Sequence, residues 1–220
     1  MKRVIFSLFV ALAAIGVAST VCAETISYTT TTPIAAATTD WSGVLLLQQF
    51  DSSLGTLTSV TLNVGSTIDT ILTITNGSPS ASSGSAKTEV EVRVQDAGNY
   101  LASPALDILS PKFDYSLNAG ESATSGLLTK SVTEGNSYTA SNILAEFTGT
   151  GTISLAASTF TQTNLSNTGG NTSASQTTHA SATAQVIYTY TKPAPPVPEP
   201  STLVLLGVAS ALGLLVWRKR

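Results

Sequence analysis

The amino-acid sequence predicts an all-β fold, an antiparallel β-sandwich or jelly roll, over residues 24–191 of the 220-residue chain. Apolar and polar residues alternate there with a period of two, which is typical of half-buried strands. Turn signals rich in Gly, Asn, Asp and Pro recur between the alternating segments. The strand formers Thr, Val, Ile and Tyr are frequent within them, and the pattern shows no convincing helix and no fixed-period repeat.

The clearest predicted strand is Thr88–Val94, in which three valines face one side and two glutamates and an arginine face the other. Further strands are predicted at 57–64, 67–75, 142–147, 152–156 and 184–191. Turns are predicted at 76–79, 96–99, 118–120 and 149–151. Residues 79–86 and 164–181 are predicted to be loosely structured. The second segment is mostly Ser, Thr, Asn and Gly and is predicted to be a long surface loop.

The composition excludes several classes of protein. Only 10% of the residues are charged, against about 25% in an ordinary soluble domain, and 29 Ser and 34 Thr take their place. One Cys and one His cannot build a structural zinc site, a disulfide framework or an iron–sulfur cluster, so no metal and no cofactor is predicted. The net charge of −3 argues against a nucleic-acid partner, since no excess of Lys and Arg can displace counterions from phosphates.

The N-terminus, residues 1–23, has the pattern of a secretory signal peptide. Lys2 and Arg3 precede an apolar run and a small-residue site, which predicts cleavage by signal peptidase between Ala23 and Glu24. An uncleaved anchor is the alternative, but the run is shorter than the ~20 residues that a membrane span needs. Lipidation of Cys22 is disfavoured because Val21 precedes it, and cleavage after Ala23 leaves a mature chain without a thiol.

The C-terminus has three successive parts. Residues 192–200 form a proline-rich linker that favours extended polyproline II. Residues 201–217 are uncharged and predict one short transmembrane helix. Arg218, Lys219 and Arg220 then form a basic cytoplasmic tail, which by the positive-inside rule places the β-rich domain outside the membrane.

This arrangement resembles the PEP-CTERM sorting signal of Gram-negative bacteria, in which a Pro-Glu-Pro motif precedes a short membrane helix and a basic terminus. The motif here is Val197, Pro198, Glu199 and Pro200. The resemblance implies processing near this motif by an exosortase, a membrane-embedded cysteine transpeptidase-like enzyme. It also implies export through the inner membrane, transient anchoring, and final location at the cell surface or in an exopolysaccharide matrix.

Residues 24–191 resemble the choice-of-anchor E family of secreted bacterial domains. The residues that carry this resemblance are 50–62, 147–155 and 186–190. The family implies no activity. Within the first segment, Phe50 and Leu54 are predicted to anchor the chain where it enters a sheet, and Gly55 to permit a turn.

Candidates for catalysis are few. His179 is the sole imidazole and lies in the predicted Ser/Thr-rich loop, and neither a Gly-x-Ser-x-Gly nor a Ser-x-x-Lys motif occurs. Glu89 and Glu91 share a strand face like a glycosidase pair, but catalytic carboxylates normally face each other across a cleft. A solvated loop histidine and a solvated strand face are therefore the preferred interpretations, and no catalytic residue is predicted.

Two binding hypotheses remain open. Six aspartates in or near turns could contribute to a calcium site, although no local D-x-D-x-D-G run supplies the ligands: these are Asp40, Asp51, Asp69, Asp96, Asp107 and Asp114. Tyr188 and Tyr190 share a strand face and, with Trp41, could stack on sugar rings, although such aromatics are more often core.

Three function classes follow in order of preference. The first is a structural or adhesive surface protein, favoured by the hydroxyl-rich, weakly charged composition and the missing catalytic motifs. The second is a carbohydrate-binding module for the exopolysaccharide. The third is a hydrolase built on carboxylates from distant strands.

Overall fold

The structure, a computed structural model, describes residues 23–102, 105–193 and Gly207. Residues 23–192 form one compact unit. Its strands are β1 Ala23–Thr29, β2 Ile34–Thr38, β3 Ser42–Gln48, β4 Thr56–Asn76, β5 Ser82–Gln95, β6 Leu106–Leu109, β7 Phe113–Leu117, β8 Ser122–Thr124, β9 Leu128–Tyr138, β10 Thr152–Thr168 and β11 Thr172–Thr191. A 3₁₀ turn, Ser52–Leu54, and a short helix, α1 Ser141–Glu146, complete the described elements.

The strands form two antiparallel sheets that pack face to face. In the first sheet the order is β1-β11-β4-β8, with β2 also pairing β11 and β9 also pairing β4. In the second sheet the order is β3-β10-β5-β6, with β7 also pairing β5. The predicted all-β antiparallel sandwich is therefore confirmed for this part of the chain.

Two apolar clusters fill the space between the sheets. The larger one, here called the terminal core, lies at the end where the chain enters β1 and leaves β11, and it includes Phe50, Phe147 and Tyr188. The strand predicted at Thr88–Val94 is confirmed within β5, and its valines are buried here. The smaller one, the distal core, has five buried members: Leu72, Ile74, Ala86, Tyr115 and Leu117.

A buried hydroxyl layer separates the two cores. Along β4, β5 and β11, Thr70, Thr88 and Thr178 take the inward positions between the apolar residues of the two clusters. The Thr70 hydroxyl lies 3.0 Å from that of Thr88 and 2.7 Å from that of Thr178. Because every member has a partner, the layer avoids the cost of an unpaired buried hydroxyl.

The predicted turns at 76–79, 96–99, 118–120 and 149–151 are confirmed. The predicted loop at 164–181 is wrong, because β10 runs to Thr168 and β11 begins at Thr172. Gly169 and Gly170, with φ of 73° and 65°, make the turn between them. Thr is β-branched and favours strands, so hydroxyl-rich composition was a poor guide to disorder here.

Three other boundaries differ from the prediction. The segment 79–86, predicted to be loosely structured, is strand β5 from Ser82 onward, and the two strands predicted at 57–64 and 67–75 are one strand, β4. The strand predicted at 142–147 is helix α1, since Ile143 and Phe147 are both buried and are spaced by one helical turn. Leu54 does not anchor the sheet entry as predicted, because it is 36% exposed, whereas Phe50 is buried.

Candidate functional site

The first candidate region is the end of the domain where the chain enters and leaves the fold. β1 pairs antiparallel with the last residues of β11, and this register sets Ala23 opposite Thr191 and Glu24 opposite Tyr190. The predicted signal-peptide cleavage site therefore lies directly beside the predicted start of the linker. Cleavage itself remains a prediction.

Glu24 links the two ends of the domain through its side chain. The Lys192 ammonium lies 2.6 Å from one carboxylate oxygen of Glu24, and the Tyr190 hydroxyl donates to the other at 3.2 Å. The hydrogen bond from Lys192, supported by the one from Tyr190, holds the pKa of Glu24 below its ordinary value. The same contact raises the pKa of Lys192.

Gly55 allows its own backbone to pass close to Thr191, the last residue of β11. Gly55 follows the 3₁₀ turn with φ of 151°, and a Cβ built on it would lie 2.2 Å from the carbonyl oxygen of Thr191. Only glycine fits so close to the backbone of the departing strand. The turn before it is capped by Asp51, whose carboxylate accepts from the Ser53 amide at 2.8 Å. The predicted turn at Gly55 is confirmed.

The aromatic residues near this end belong to the core. Tyr188 is fully buried and Tyr190 is 6% exposed, so neither can present a ring face to a sugar, and that hypothesis is wrong for this pair. The Tyr188 hydroxyl donates to the Gln48 carbonyl at 2.7 Å, and burial raises its pKa. Trp41 is partly buried and donates from its indole nitrogen to the Ala180 carbonyl at 3.0 Å.

His179 does not lie in a loop as predicted. It is exposed on β11, with Asp69 of β4 on one side in register and Thr38 of β2 on the other. The Asp69 carboxylate accepts a hydrogen bond from the Thr129 hydroxyl at 2.6 Å. The residues stand on an open sheet face.

A carboxylate cluster lies on the outer face of the second sheet. Glu89 accepts hydrogen bonds from Asn164 at 2.6 Å and Gln162 at 2.9 Å, which lower its pKa. Asp107 of β6 lies beside it, and burial together with the charge of Glu89 raises the pKa of Asp107. Glu91 is paired with Arg93 at 2.6 Å.

The Glu89–Asp107 contact was not predicted, because it depends on the register between β5 and β6. The two carboxyl groups have pKa values that are shifted in opposite directions, as in some acid–base pairs. Glu91 forms its ion pair on the same face, and its Arg93 partner is half-exposed. Glu89 and Glu91 thus lie on the outward face of β5, as predicted, and are half-buried there.

The aspartates considered for calcium are held in separate local contacts. Asp96 accepts from the amides of Tyr100 and Leu101, and Asp40 accepts from the amide of Thr161. Asp114 pairs with Lys112 at 2.9 Å. Within residues 23–102 and 105–193, no group of three or more His, Cys, Asp or Glu side chains is placed to hold a metal ion.

The outer face of the first sheet carries a feature that the sequence did not single out. Hydroxyls on β4 pair across the strands with hydroxyls on β8 and β9, at 2.7 to 3.0 Å. The pairs of this hydroxyl ladder are Thr61–Ser137, Thr67–Ser131, Thr73–Thr124 and Thr75–Ser122. The alternation of Thr along β4 could have predicted it.

A shallow depression of about 450 Å³ interrupts this face. Gly65 leaves room at its floor, and Asn63 donates to the Gln185 side chain at 3.1 Å beside it. Thr133 and Thr183 form its sides. The lining is uncharged and offers amide and hydroxyl groups, which suit a neutral polar ligand.

Several predicted residues lie outside the described part of the chain. They are the motif Val197, Pro198, Glu199 and Pro200, most of the predicted membrane helix 201–217, and the basic tail Arg218, Lys219 and Arg220. Among the helices that the structure does describe, none has the length and apolar character needed to cross a membrane.

Comparison with known proteins gives one informative match. No curated protein matches the chain. Two solved structures, described as those of the Gx and Gt strains of infectious bursal disease virus, share 9% identity with it at TM-scores of 0.16 and 0.15. They match 90% and 95% of this chain, which spans only 47% and 55% of theirs, and likenesses this weak support no statement on fold or function.

The informative match is at the C-terminus. Residues 196–220 match the family model described as the PEP-CTERM protein-sorting motif. The predicted motif and basic tail lie within this segment. The chain thus carries a PEP-CTERM sorting signal, which implies export, sorting by an exosortase, and a location at the cell surface or outside the cell.

Proposed function

We propose that the β-sandwich is a structural or adhesive component of the cell surface or of an exopolysaccharide matrix, and that it acts through its exterior rather than by catalysis. The observation that carries the proposal is the sorting signal at residues 196–220, joined by a short linker to a folded domain. A sorted chain is delivered to the surface together with whatever precedes the signal. The sandwich is then the displayed part.

The design of the domain supports this role. Its exterior is rich in hydroxyl and amide groups, many of which are bonded to one another in the hydroxyl ladder. The hydroxyl groups of this face keep it hydrated without carrying charge themselves. We also propose that residues 24–191 are a choice-of-anchor E domain and that residues 201–217 anchor the chain in the membrane until the exosortase acts.

Retention in the matrix tests the proposal. In the native host, loss of this chain is expected to weaken matrix cohesion, and the full chain is expected to restore it. A Glu199→Ala chain is expected to fail because it is not sorted, whereas Pro195→Ala, in the same linker but outside the motif, is expected to succeed. Normal cohesion in the strain that lacks the chain would contradict the proposal.

A second candidate function is recognition of neutral polysaccharide, which the depression around Gly65 favours. Hydroxyl and amide groups at the edge of a glycine floor can bond sugar hydroxyls. Gly65→Gln fills the floor and is expected to abolish saturable binding of the purified exopolysaccharide, measured by calorimetry. Gly126→Gln is the control, since a Cβ at Gly126 meets no atom within 4 Å. Equal binding by both variants would exclude the depression as the site.

A further inference from the structure

One flank of the sandwich is covered by strands along most of its length, and the other flank is covered along about half of it. On the covered flank, β9 and β8 follow β4, while β6 and β7 follow β5. On the opposite flank, β1 and β2 pair with β11 only from His179 onward, and β3 pairs with β10 only up to Ser158. Beyond those points, no strand of the described residues continues either sheet.

The direction in which each backbone group points on this opposite flank follows from the observed hydrogen bonds. The Thr159 amide donates to the Trp41 carbonyl, and the Thr161 amide donates to the Asp40 carboxylate, so the odd residues of β10 point to this flank. By strand alternation, the N–H and C=O groups of Thr163, Leu165 and Asn167 point the same way.

The neighbouring strand is open in the same way. The Thr178 carbonyl accepts from the Thr39 amide, so the even residues of β11 face this flank. Thr172, Ala174 and Gln176 therefore expose their backbone groups there as well. We call the segments 162–168 and 172–177 the open flank. They belong to different sheets and are joined by the Gly169–Gly170 turn.

The side chains of the open flank lack the features that normally protect an exposed strand edge. Residues 159–178 contain no Lys, Arg, Asp, Glu or Pro, although charges and prolines usually block edge pairing. By contrast, three of the four edge strands of the covered flank carry charge: Asp107 on β6, Asp114 on β7, and Lys130 and Glu134 on β9.

The occupant can be inferred from charge. Residues 24–192 hold five basic and twelve acidic side chains, so the charged parts of the surfaces of two copies repel each other. The open flank is a long uncharged segment, and its Thr, Asn and Gln side chains are complementary to themselves. The chain's own linker, residues 192–200, is a poor partner for a strand edge, because five of its nine residues are prolines and donate no hydrogen bond.

We propose that the open flank pairs with the same flank of a second copy of this chain. A two-fold axis perpendicular to the sheets sets β11 antiparallel to β11 of the second copy and β10 antiparallel to its β10. Both sheets then continue across the contact, and the exposed amides and carbonyls on each side become hydrogen-bonded. The contact is isologous and closes as a dimer.

The antiparallel arrangement determines where the two linkers lie in the dimer. Antiparallel pairing through the distal halves places the two linkers at opposite ends of the dimer. Each β11 has 20 residues, a length of roughly 65 Å at the rise of an extended strand. Two copies displayed by different cells or matrix fibres are thereby joined, a conclusion that rests on the proposed function, whereas the pairing itself rests on the strand edges alone.

The test uses the full chain, exported by a host that carries the exosortase and collected as that host's product. Sedimentation is expected to show a concentration-dependent dimer. Thr163→Pro with Gln176→Pro removes two amides that face the flank while leaving the ladders to β5 and β4 intact. This pair is expected to sediment as a monomer with an unchanged far-UV spectrum. Thr163→Val with Gln176→Val alters the same side chains but keeps the amides, and it is expected to remain dimeric.

A second pair covers the event that the proline variant does not fold. Ser166→Lys with Ser175→Lys puts like charges at exposed positions on both strands and is expected to give a monomer at low salt that dimerises again at high salt. A wild-type chain that stays monomeric would overturn the proposal, as would a folded proline pair that remains dimeric. Unprocessed chain from a host without the exosortase is measured in detergent, so a failure of sorting is recognised separately from a failure of association.

Discussion

The terminal and distal halves of the sandwich differ in what fills them and in what covers their edges. The terminal core packs the aromatic rings of Phe50, Phe147 and Tyr188 around one another, with ring centroids 5.7 and 6.4 Å from Tyr188. The distal core contains only five buried apolar residues, and the hydroxyl layer closes it off from the terminal core. The terminal half is also covered by strands on both flanks, while the distal half is covered on one.

The two halves are expected to have different roles, one in folding stability and the other in contacts with other molecules. Buried apolar area supplies most of the folding free energy, so the terminal half, next to the linker, is expected to hold the fold together. The distal half, with less buried area and free strand edges, is the part expected to make contacts with other molecules.

The largest effect is expected in the terminal core. Phe147 is fully buried and closes the end of α1 against Tyr188. Phe147→Ala removes a whole ring and is expected to lower the free energy of unfolding by about 3–5 kcal/mol. Chemical denaturation measures it, with Phe160→Ala as control, because Phe160 is 51% exposed. Equal losses in the two variants would contradict the assignment of the core.

The second-largest loss of stability is expected in the hydroxyl layer. Thr70→Val preserves shape but leaves the hydroxyls of Thr88 and Thr178 without their shared partner, at an expected cost of about 1–3 kcal/mol. Replacing all three threonines by valine removes every orphaned group and is expected to restore most of the loss. If the triple variant is the least stable of the set, the layer is not a closed network.

The third effect is expected at Gly55, where the backbone passes close to the last residue of β11. Gly55→Ala places a Cβ against the Thr191 carbonyl at a φ that other residues rarely adopt, and it is expected to cost about 1–3 kcal/mol in thermal or chemical unfolding. Gly126→Ala meets no neighbouring atom and is expected to be neutral within about 0.5 kcal/mol. A neutral Gly55→Ala would show that the close approach is not required.

The smallest effect is expected at the Glu24–Lys192 pair, and its sign depends on pH. Because the folded pKa of Glu24 lies below its ordinary value of 4.5, its stabilisation is present above that value and is lost as pH falls through the folded pKa. The stability difference between wild type and Glu24→Gln should therefore be constant near neutrality and disappear in acid. Glu134→Gln, at an exposed position on β9, is the control. A difference that grows in acid would contradict the assignment.

The sequence predicted those parts of the fold in which alternation involved apolar residues. In β5, Val90 and Val92 alternate with charged residues, and both face and strand follow from that pattern. In the distal halves of β10 and β11, Thr, Ser and Asn occupy both faces, so composition indicated a loop and the strands were missed. Helix α1 was missed because it is short, and its one buried residue, Ile143, together with the buried Phe147 just beyond its end, fits either period.

The candidate sites also differ in how far the sequence could predict them. The sorting signal is a local motif, and its residues could be identified without any fold. The Glu89–Asp107 contact and the open flank depend on strand register and sheet order, which join residues distant in the chain. No local pattern specifies either one.

We propose that the C-terminal segment is a processed sorting signal and that the sandwich is the part delivered. Intact mass of the surface product, from an exporting host with and without its exosortase, tests this most directly. We expect a product that begins at Glu24 and ends near Pro198 only when the enzyme is present. A product that ends at Arg220 in both hosts would contradict it and would make residues 201–217 a permanent anchor.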